Sequence, residues 1–312
     1  MAVKQQVPVH PQAGFFGAGP YPARRAAIAV AAIVAGFVLT TIWSAPFVDS
    51  VIGDSVANGL LGHDAKATPI SGVVAGTLFA FVSGLAGSFT ACNIAAFGAV
   101  APLVGDQAGG KRSALKPLGW ISAGMLTVSV VYGVIVALVG TRMPQFSTAK
   151  TSGLSPRSIQ SMVAFGIVGV IFLLMGLIAL GILRNPFESF TRRHPAAPLV
   201  LMGALIGGFL IGRPYPLFRI MFRDAAEQHN VFYGAAAFAL QSLGNIVVMA
   251  VLFLILTYAT GGRVQRWLAA KPARIATVTG VALLVGGTFT LLYWDVRVLG
   301  RLGIIWFPMI NW

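Results

Sequence analysis

The chain has 312 residues, of which 57% are hydrophobic and only 10% charged, with a mean hydropathy of +0.83 and a formal net charge of +14. A soluble globular chain carries about 25% charged residues, so this composition excludes a soluble domain with a single anchor, a disordered chain and a nucleic-acid-binding protein. In so apolar a chain, 22 Lys and Arg against 8 Asp and Glu read first as a signal of topology.

Apolar runs of the roughly 20 residues that span a bilayer occur seven times, at about 26–47, 72–104, 117–140, 161–183, 197–221, 232–258 and 275–294. They are continuous rather than alternating, which excludes a membrane β-barrel. Residues 1–25, with Pro8, Pro11, Pro20 and Pro22, read as a disordered cytoplasmic tail. The run 26–47 follows Arg24 and Arg25 and is long for a signal-peptide core, and Pro46 directly follows Ser44-Ala45. It is expected to be a retained transmembrane helix, with a cleaved signal as the alternative.

With the N-terminus inside, the cytoplasmic segments collect 13 cations against two acids, Asp106 and Glu188, and the outer segments collect 8 cations against six acids. This bias predicts seven spans in the plasma (inner) membrane, with the N-terminus cytoplasmic and the C-terminus extracytoplasmic. Trp43, Trp120, Trp267 and Trp294 fall at predicted span ends, as interfacial anchors do. Residues 295–312 are too short to cross again and are expected to lie at the outer interface or to pack back on the bundle.

Behind the first helix, the spans repeat. Gly84 is followed eight residues later by Cys92, and Gly207 eight residues later by Tyr215. Gly169 and Gly176 in one half share their spacing with Gly280 and Gly287 in the other. Three spans per half force opposite orientations, so 72–183 and 197–294 are expected to be two inverted three-helix repeats, an all-α polytopic core behind one extra N-terminal helix. Such repeats place their site at the midplane, where broken helices face each other. Pro102, Pro214 and Pro216 remove backbone donors at the expected breaks. Gly84, Gly207 and Gly212 beside them allow close approach of neighbouring backbones. For Gly166, Gly169 and Gly176 ordinary tight packing is the expectation.

These segments resemble the transmembrane family of cytochrome c biogenesis proteins and the membrane domain of DsbD-type reductants. The resemblance is carried by Gly84 to Cys92 with Pro102-Leu103, by the Gly169–Leu177 stretch, by Gly207 to Pro216, and by Tyr233-Gly234 through Asn245. It implies a pair of membrane cysteines, one per half, that shuttle between dithiol and disulfide and pass reducing equivalents from a thioredoxin-like protein to an extracytoplasmic redox protein. Cys92 matches the first of these and Tyr215 stands at the second. A chain with one cysteine cannot close an intramolecular disulfide, so the dithiol chemistry is altered or lost here.

The remaining candidates come from residue type. Arg213 lies inside a predicted span, where a cation is costly and usually marks a site; no carboxylate lies within any predicted span to pair with it, which leaves backbone carbonyls, Asn93, Gln241, Asn245 or an anionic ligand as its partner. Asn93, Tyr215, Gln241 and Asn245 complete the expected binding set, with Gln241 and Asn245 on one helix face. The four histidines all fall in tails or loops, and no metal site or cofactor is called for. Three readings follow: a thiol-exchange accessory in maturation of an extracytoplasmic protein, a transporter of a small solute, anionic where Arg213 binds it, through the broken-helix site, or a structural subunit of a membrane complex. The lipid bilayer is the one partner common to all three.

Overall fold

A computed structural model describes residues 21–44, 46–89, 93, 111–147, 153–212, 216–259, 263, 267, 268 and 270–310. Among them the chain is all-helical. In order it forms α1 (Arg25–Ile42), a π-helical segment Phe47–Gly53 running into α2 (Asp54–Leu61), α3 (Gly72–Ala86), α4 (Lys111–Val139), α5 (Pro156–Ala179), the short α6 (Glu188–Arg193), α7 (Ala197–Gly212), α8 (Pro216–Glu227), α9 (Val231–Ala259), α10 (Pro272–Leu291), a π-helical segment Leu292–Val296, and α11 (Arg297–Arg301). Among the described residues five helices are long and apolar enough to cross a membrane, and the bent pair α7 and α8 makes a sixth if counted as one broken span.

The outward surface agrees with a bilayer as solvent. Val34, Leu78, Leu138, Val163, Leu174 and Val251 are exposed on the long helices; in water such a girdle would be a large apolar patch, whereas in lipid it costs nothing. Since lipid supplies no hydrophobic drive between helices, association rests on close packing. Glycine provides it here. At Gly84 on α3 a Cβ would collide with the Gln241 carbonyl of α9, and at Gly244 on α9 with the Phe81 carbonyl of α3. Gly203 on α7 and Gly124 on α4 stand in the same relation to the carbonyls of Ile121 and Val200. Between α5 and α10 the contacts are glycine to glycine: a Cβ at Gly169 would lie 3.1 Å from the Gly287 oxygen, and one at Gly176 3.1 Å from the Gly280 oxygen. Gly76 with Tyr233 and Gly84 with Gln241 rise together, as do Gly203 with Ile121 and Gly207 with Met125, so α3 runs parallel to α9 and α7 to α4; between α5 and α10 one number rises as the other falls, so that pair is antiparallel. The packing expected for Gly169 and Gly176 is what the fold contains.

Aromatic side chains fill the wider gaps. Phe165 stacks on Trp294 at 4.4 Å, and Phe172 meets Phe209 edge-on at 5.9 Å. Phe218 and Phe222 of α8 stack toward Phe238 of α9, which tethers α8 to the bundle.

Helix ends are closed by identifiable groups. The Ser155 hydroxyl accepts from the Ser158 amide and Pro156 occupies the first turn, a standard start for α5. Arg297, 3% exposed, donates to the carbonyls of Thr40 (2.7 Å) and Trp43 (2.9 Å) at the C-terminal end of α1. Arg25 at the other end of α1 donates to the Gly181 carbonyl at the end of α5 (2.7 Å). A cation is favoured beside the free carbonyls and negative dipole end of a helix.

The expected breaks are located, and one expectation is corrected. In the run 72–104, α3 stops at Ala86 and tightens into a 3-10 turn, Gly87–Phe89, ahead of Cys92 and Pro102. The run 197–221 is likewise broken, since α7 ends at Gly212 and α8 leaves at 84°. At 15 and 16 residues, α3 and α7 are roughly 22–24 Å long, short of the ~30 Å hydrocarbon core. Gly207 lies inside α7, packed closely on Met125 of α4. The last apolar helix continues through its π-helical segment to Arg301, which brings Asp295 into a candidate span, facing Gly166 of α5; the expectation of carboxylate-free spans fails there because the 3.6-residue repeat does not end where the apolar run does.

The tail is settled in favour of packing back: the Ile310 amide donates to the Thr41 carbonyl (3.1 Å), and Phe307 meets Phe37 of α1 edge-on at 5.8 Å.

Overpacking a tight core costs about 1–3 kcal/mol, and a branched side chain at a carbonyl contact costs more. Gly203→Leu is expected to lower the melting temperature of the detergent-solubilised protein sharply. Gly208→Ala, where the nearest atom to a Cβ is 3.7 Å away, is expected to leave it within a degree or two. Equal melting of the two variants would refute glycine contacts as the packing determinant.

Candidate functional site

The end of α3 carries a buried polar cluster. Ser88 sits in the 3-10 turn, and its Oγ lies 2.7 Å from Asn245 Oδ1 of α9 and 2.9 Å from the Gly84 carbonyl. It has one proton for two acceptors. Asn93 donates through Nδ2 to the Gly87 carbonyl (3.1 Å) and to Asn245 Oδ1 (3.3 Å). One turn earlier on α9, Ser242 is hydrogen-bonded to Ser129 of α4. Ser88, Asn93, Ser129, Gln241, Ser242 and Asn245 are all buried. The polar groups of three helices thus converge where the first of them breaks.

The local reason is geometric. Gly84 and Gly244 bring the α3 and α9 backbones together, so the side chains one turn further along each helix, Ser88 and Asn245, are within hydrogen-bond reach. The orientation of Asn93 follows from its neighbours: both groups near Nδ2 are acceptors, so turning the amide over would set oxygen against oxygen. Its Oδ1 therefore points elsewhere, and among the described residues it has no partner; nor has Gln241 Oε1. A buried unpaired oxygen costs about 1–3 kcal/mol. Two of them in one region form an acceptor-rich spot suited to a hydroxyl, an ammonium or a cation. These oxygens do not suit an anion; Arg213, on which the anionic expectation rests, lies outside the described residues.

Of the expected residues, the fold brings Asn93 and Asn245 together and puts Gln241 on the same face of α9, one turn away. Gly84 and Gly212 lie at the ends of the two short helices, Gly84 against Gln241 and Gly212 against the Phe165 ring. Pro216 opens α8. Cys92, Pro102, Arg213, Pro214 and Tyr215 lie outside the described residues.

A second polar group holds the other break. Gln160 of α5 donates through Nε2 to the Ile211 carbonyl (2.7 Å), one of the last free carbonyls of α7, and to the Tyr132 hydroxyl (3.1 Å), which in turn donates to Gln145 (2.8 Å). Sequence reading missed Ser88, Ser129, Ser242, Gln160 and Arg297. The serines carry no signal in an apolar run because a serine can satisfy itself on its own helix. A hint for Ser88 was available, since it lies five residues before Asn93 in a Gly-rich stretch that an unbroken helix tolerates poorly. Among the described residues no group of three or more His, Cys, Asp or Glu side chains could hold a metal ion.

Replacing Asn245 by Leu removes the acceptor that joins Ser88 to Asn93; among the described residues this leaves Ser88 only the Gly84 carbonyl and one Asn93 Nδ2 proton unpaired. The variant is expected to lose about 1–3 kcal/mol of stability, while Ser88→Ala, Asn93→Leu and Asn245→Leu combined lose less than the sum of the singles. Additive melting shifts would show that the three side chains do not form one network. Compared with known proteins, the chain matches no family model, no curated protein and no solved structure.

Proposed function

We propose that this chain is a plasma-membrane protein of the broken-helix, inverted-repeat kind, acting as a thiol-exchange accessory in the maturation of an extracytoplasmic protein, as its resemblance to cytochrome c biogenesis and DsbD-type membrane proteins implies. The observation that carries the reading is that Ser88 and Asn93, which bracket Cys92 in the sequence, are both buried and both reach Asn245. The described residues on either side of the one cysteine in the sequence are thus held at one point inside the bundle.

The packing supports two inverted repeats. A two-fold that exchanges α3 with α7, α4 with α9 and α5 with α10 turns the α3–α9 contact into the α7–α4 contact. One constant step in number takes Gly84 to Gly203 and Phe81 to Val200; another takes Gln241 to Ile121 and Gly244 to Gly124. The pairs Gly169–Gly287 and Gly176–Gly280 are exchanged in the same way. This register is one helical turn away from the pairing of Gly84 with Gly207. It matches Ser88 and Asn93 with Gly207 and Gly212, and Asn245 with Met125, so the polar site belongs to one half only. Cys92 then corresponds to Ile211 rather than Tyr215, and neither is a second thiol.

A single thiol can still exchange disulfides. The Cys92 thiolate attacks a disulfide of an extracytoplasmic partner, forming a mixed disulfide and freeing one partner thiolate. A thiolate of a thioredoxin-like dithiol then attacks the Cys92 sulfur and releases the partner fully reduced. The second thiol of that donor closes its own disulfide and returns Cys92 to the thiol. Electrons and protons balance between the two partners.

The second reading, passage of a small solute, is favoured by the unpaired oxygens of Asn93 and Gln241. Those oxygens fit a hydrogen-bond donor, and Arg213 is the one feature that would draw an anion.

In cells treated with a thiol-blocking quench, the wild-type chain is expected to yield a reducible adduct that Cys92→Ala lacks, with loss of partner maturation in that variant. Full maturation without an adduct would refute the thiol reading; flux in proteoliposomes that survives Cys92→Ala would replace it with the solute reading. Reporter fusions are expected to be active in the periplasm or outside at the C-terminal tail and in the cytoplasm before α1, and the reverse would overturn the orientation.

A further inference from the structure

At the end of the bundle where α5 and α8 begin, a small polar pocket is lined by Gln145, Arg157, Gln160, Ser161 and Arg219. Beside it an apolar groove of about 670 Å³ runs along α4, α5 and α7 past Val128, Val163, Ile167 and Gly208. The two recesses share Gln160 and Ile211 in their linings, so they lie side by side. The groove lies within the size range of small-molecule sites, about 300–1,000 Å³.

The charges of the pocket are unbalanced. Arg219 lies within electrostatic reach of Arg157 and Arg223, all three of the same sign. Among the described residues neither Arg157 nor Arg219 has a carboxylate partner within ion-pair distance. Asp224, the nearest acid in sequence to Arg223, is taken by Tyr233 and Gln228. The first turns of α5 and α8 contain no acid, so the positive ends of both helices add to the arginines instead of being offset. Gln160 Oε1 is buried and, among the described residues, unpaired, which leaves an acceptor for a hydroxyl group next to the cations.

We propose that these adjoining recesses form a binding site for a phospholipid of net negative charge. Its phosphate lies between Arg157 and Arg219, a headgroup hydroxyl donates to Gln160, and one acyl chain lies in the groove between α5 and α7. Charge complementarity selects the anion, and the apolar extension selects a lipid over a free anion. The site is separate from the Ser88–Asn93–Asn245 cluster and does not depend on the function proposed for it.

The test uses the full chain, purified in mild detergent, delipidated, and titrated with phosphatidylglycerol, phosphatidylcholine or inorganic phosphate, with lipid retention read by native mass spectrometry and stability by melting. Phosphatidylglycerol is expected to be retained about tenfold more strongly than phosphatidylcholine and to raise the melting temperature. Arg157→Gln with Arg219→Gln should abolish that preference. Val163→Trp, at an exposed position that fills the groove without touching the arginines, should weaken retention of both lipids and serves as the test if the double variant does not fold. Equal retention by wild type and variants would overturn the proposal, as would stabilisation by inorganic phosphate equal to that by phosphatidylglycerol, which would make the site one for a free anion.

Discussion

The close approach of helix backbones at glycine is the constraint on which the rest of the structure depends. Gly84 and Gly244 join α3 to α9, Gly124 and Gly203 join α4 to α7, and Gly169, Gly176, Gly280 and Gly287 join α5 to α10. In lipid there is no hydrophobic gain in bringing helices together, so the energy must come from dense contact, and density is greatest where no Cβ keeps the backbones apart. Each of these pairs also fixes a register, because a glycine contact displaced by one residue puts a side chain where a carbonyl stands.

That register creates the polar site. With α3 held against α9 at Gly84, the next turn of each helix presents Ser88 to Asn245, and the chain beyond the 3-10 turn returns Asn93 to the same oxygen. The short length of α3 and α7 is part of the same design: helices that stop inside the bundle leave free backbone groups that side chains must satisfy. Asn93 does so at the Gly87 carbonyl and Gln160 at the Ile211 carbonyl. The break in each first helix is thus stabilised by an amide, from its own chain segment in one case and from α5 in the other.

The two ends of α1 show how an extra helix is held to such a core. Arg25 reaches the end of α5, Arg297 closes the end of α1, and Phe37 and Thr41 receive the tail at Phe307 and Ile310. Arg297 is a cation whose role is structural, which separates it from Arg157 and Arg219, where no carbonyl or carboxylate answers the charge among the described residues.

The long apolar helices were legible in the sequence because a span needs an unbroken apolar run, and composition alone shows where such runs lie. The spacing of Gly169 and Gly176 with Gly280 and Gly287 was legible too, since helices that meet at glycine must repeat glycine every seven residues or so along the contact face. The break after Gly212 was announced by Pro214 and Pro216, but its 84° angle and the early end of α3 at Ala86 were not, because the apolar residues continue past both and hydropathy is blind to a change of direction. Nor could a sequence say that Ser88 and Asn93 share Asn245, that Asp295 turns toward Gly166, or that Gln160 serves the last turn of α7. Those facts depend on which helices are neighbours and in which register, and only tertiary packing decides that.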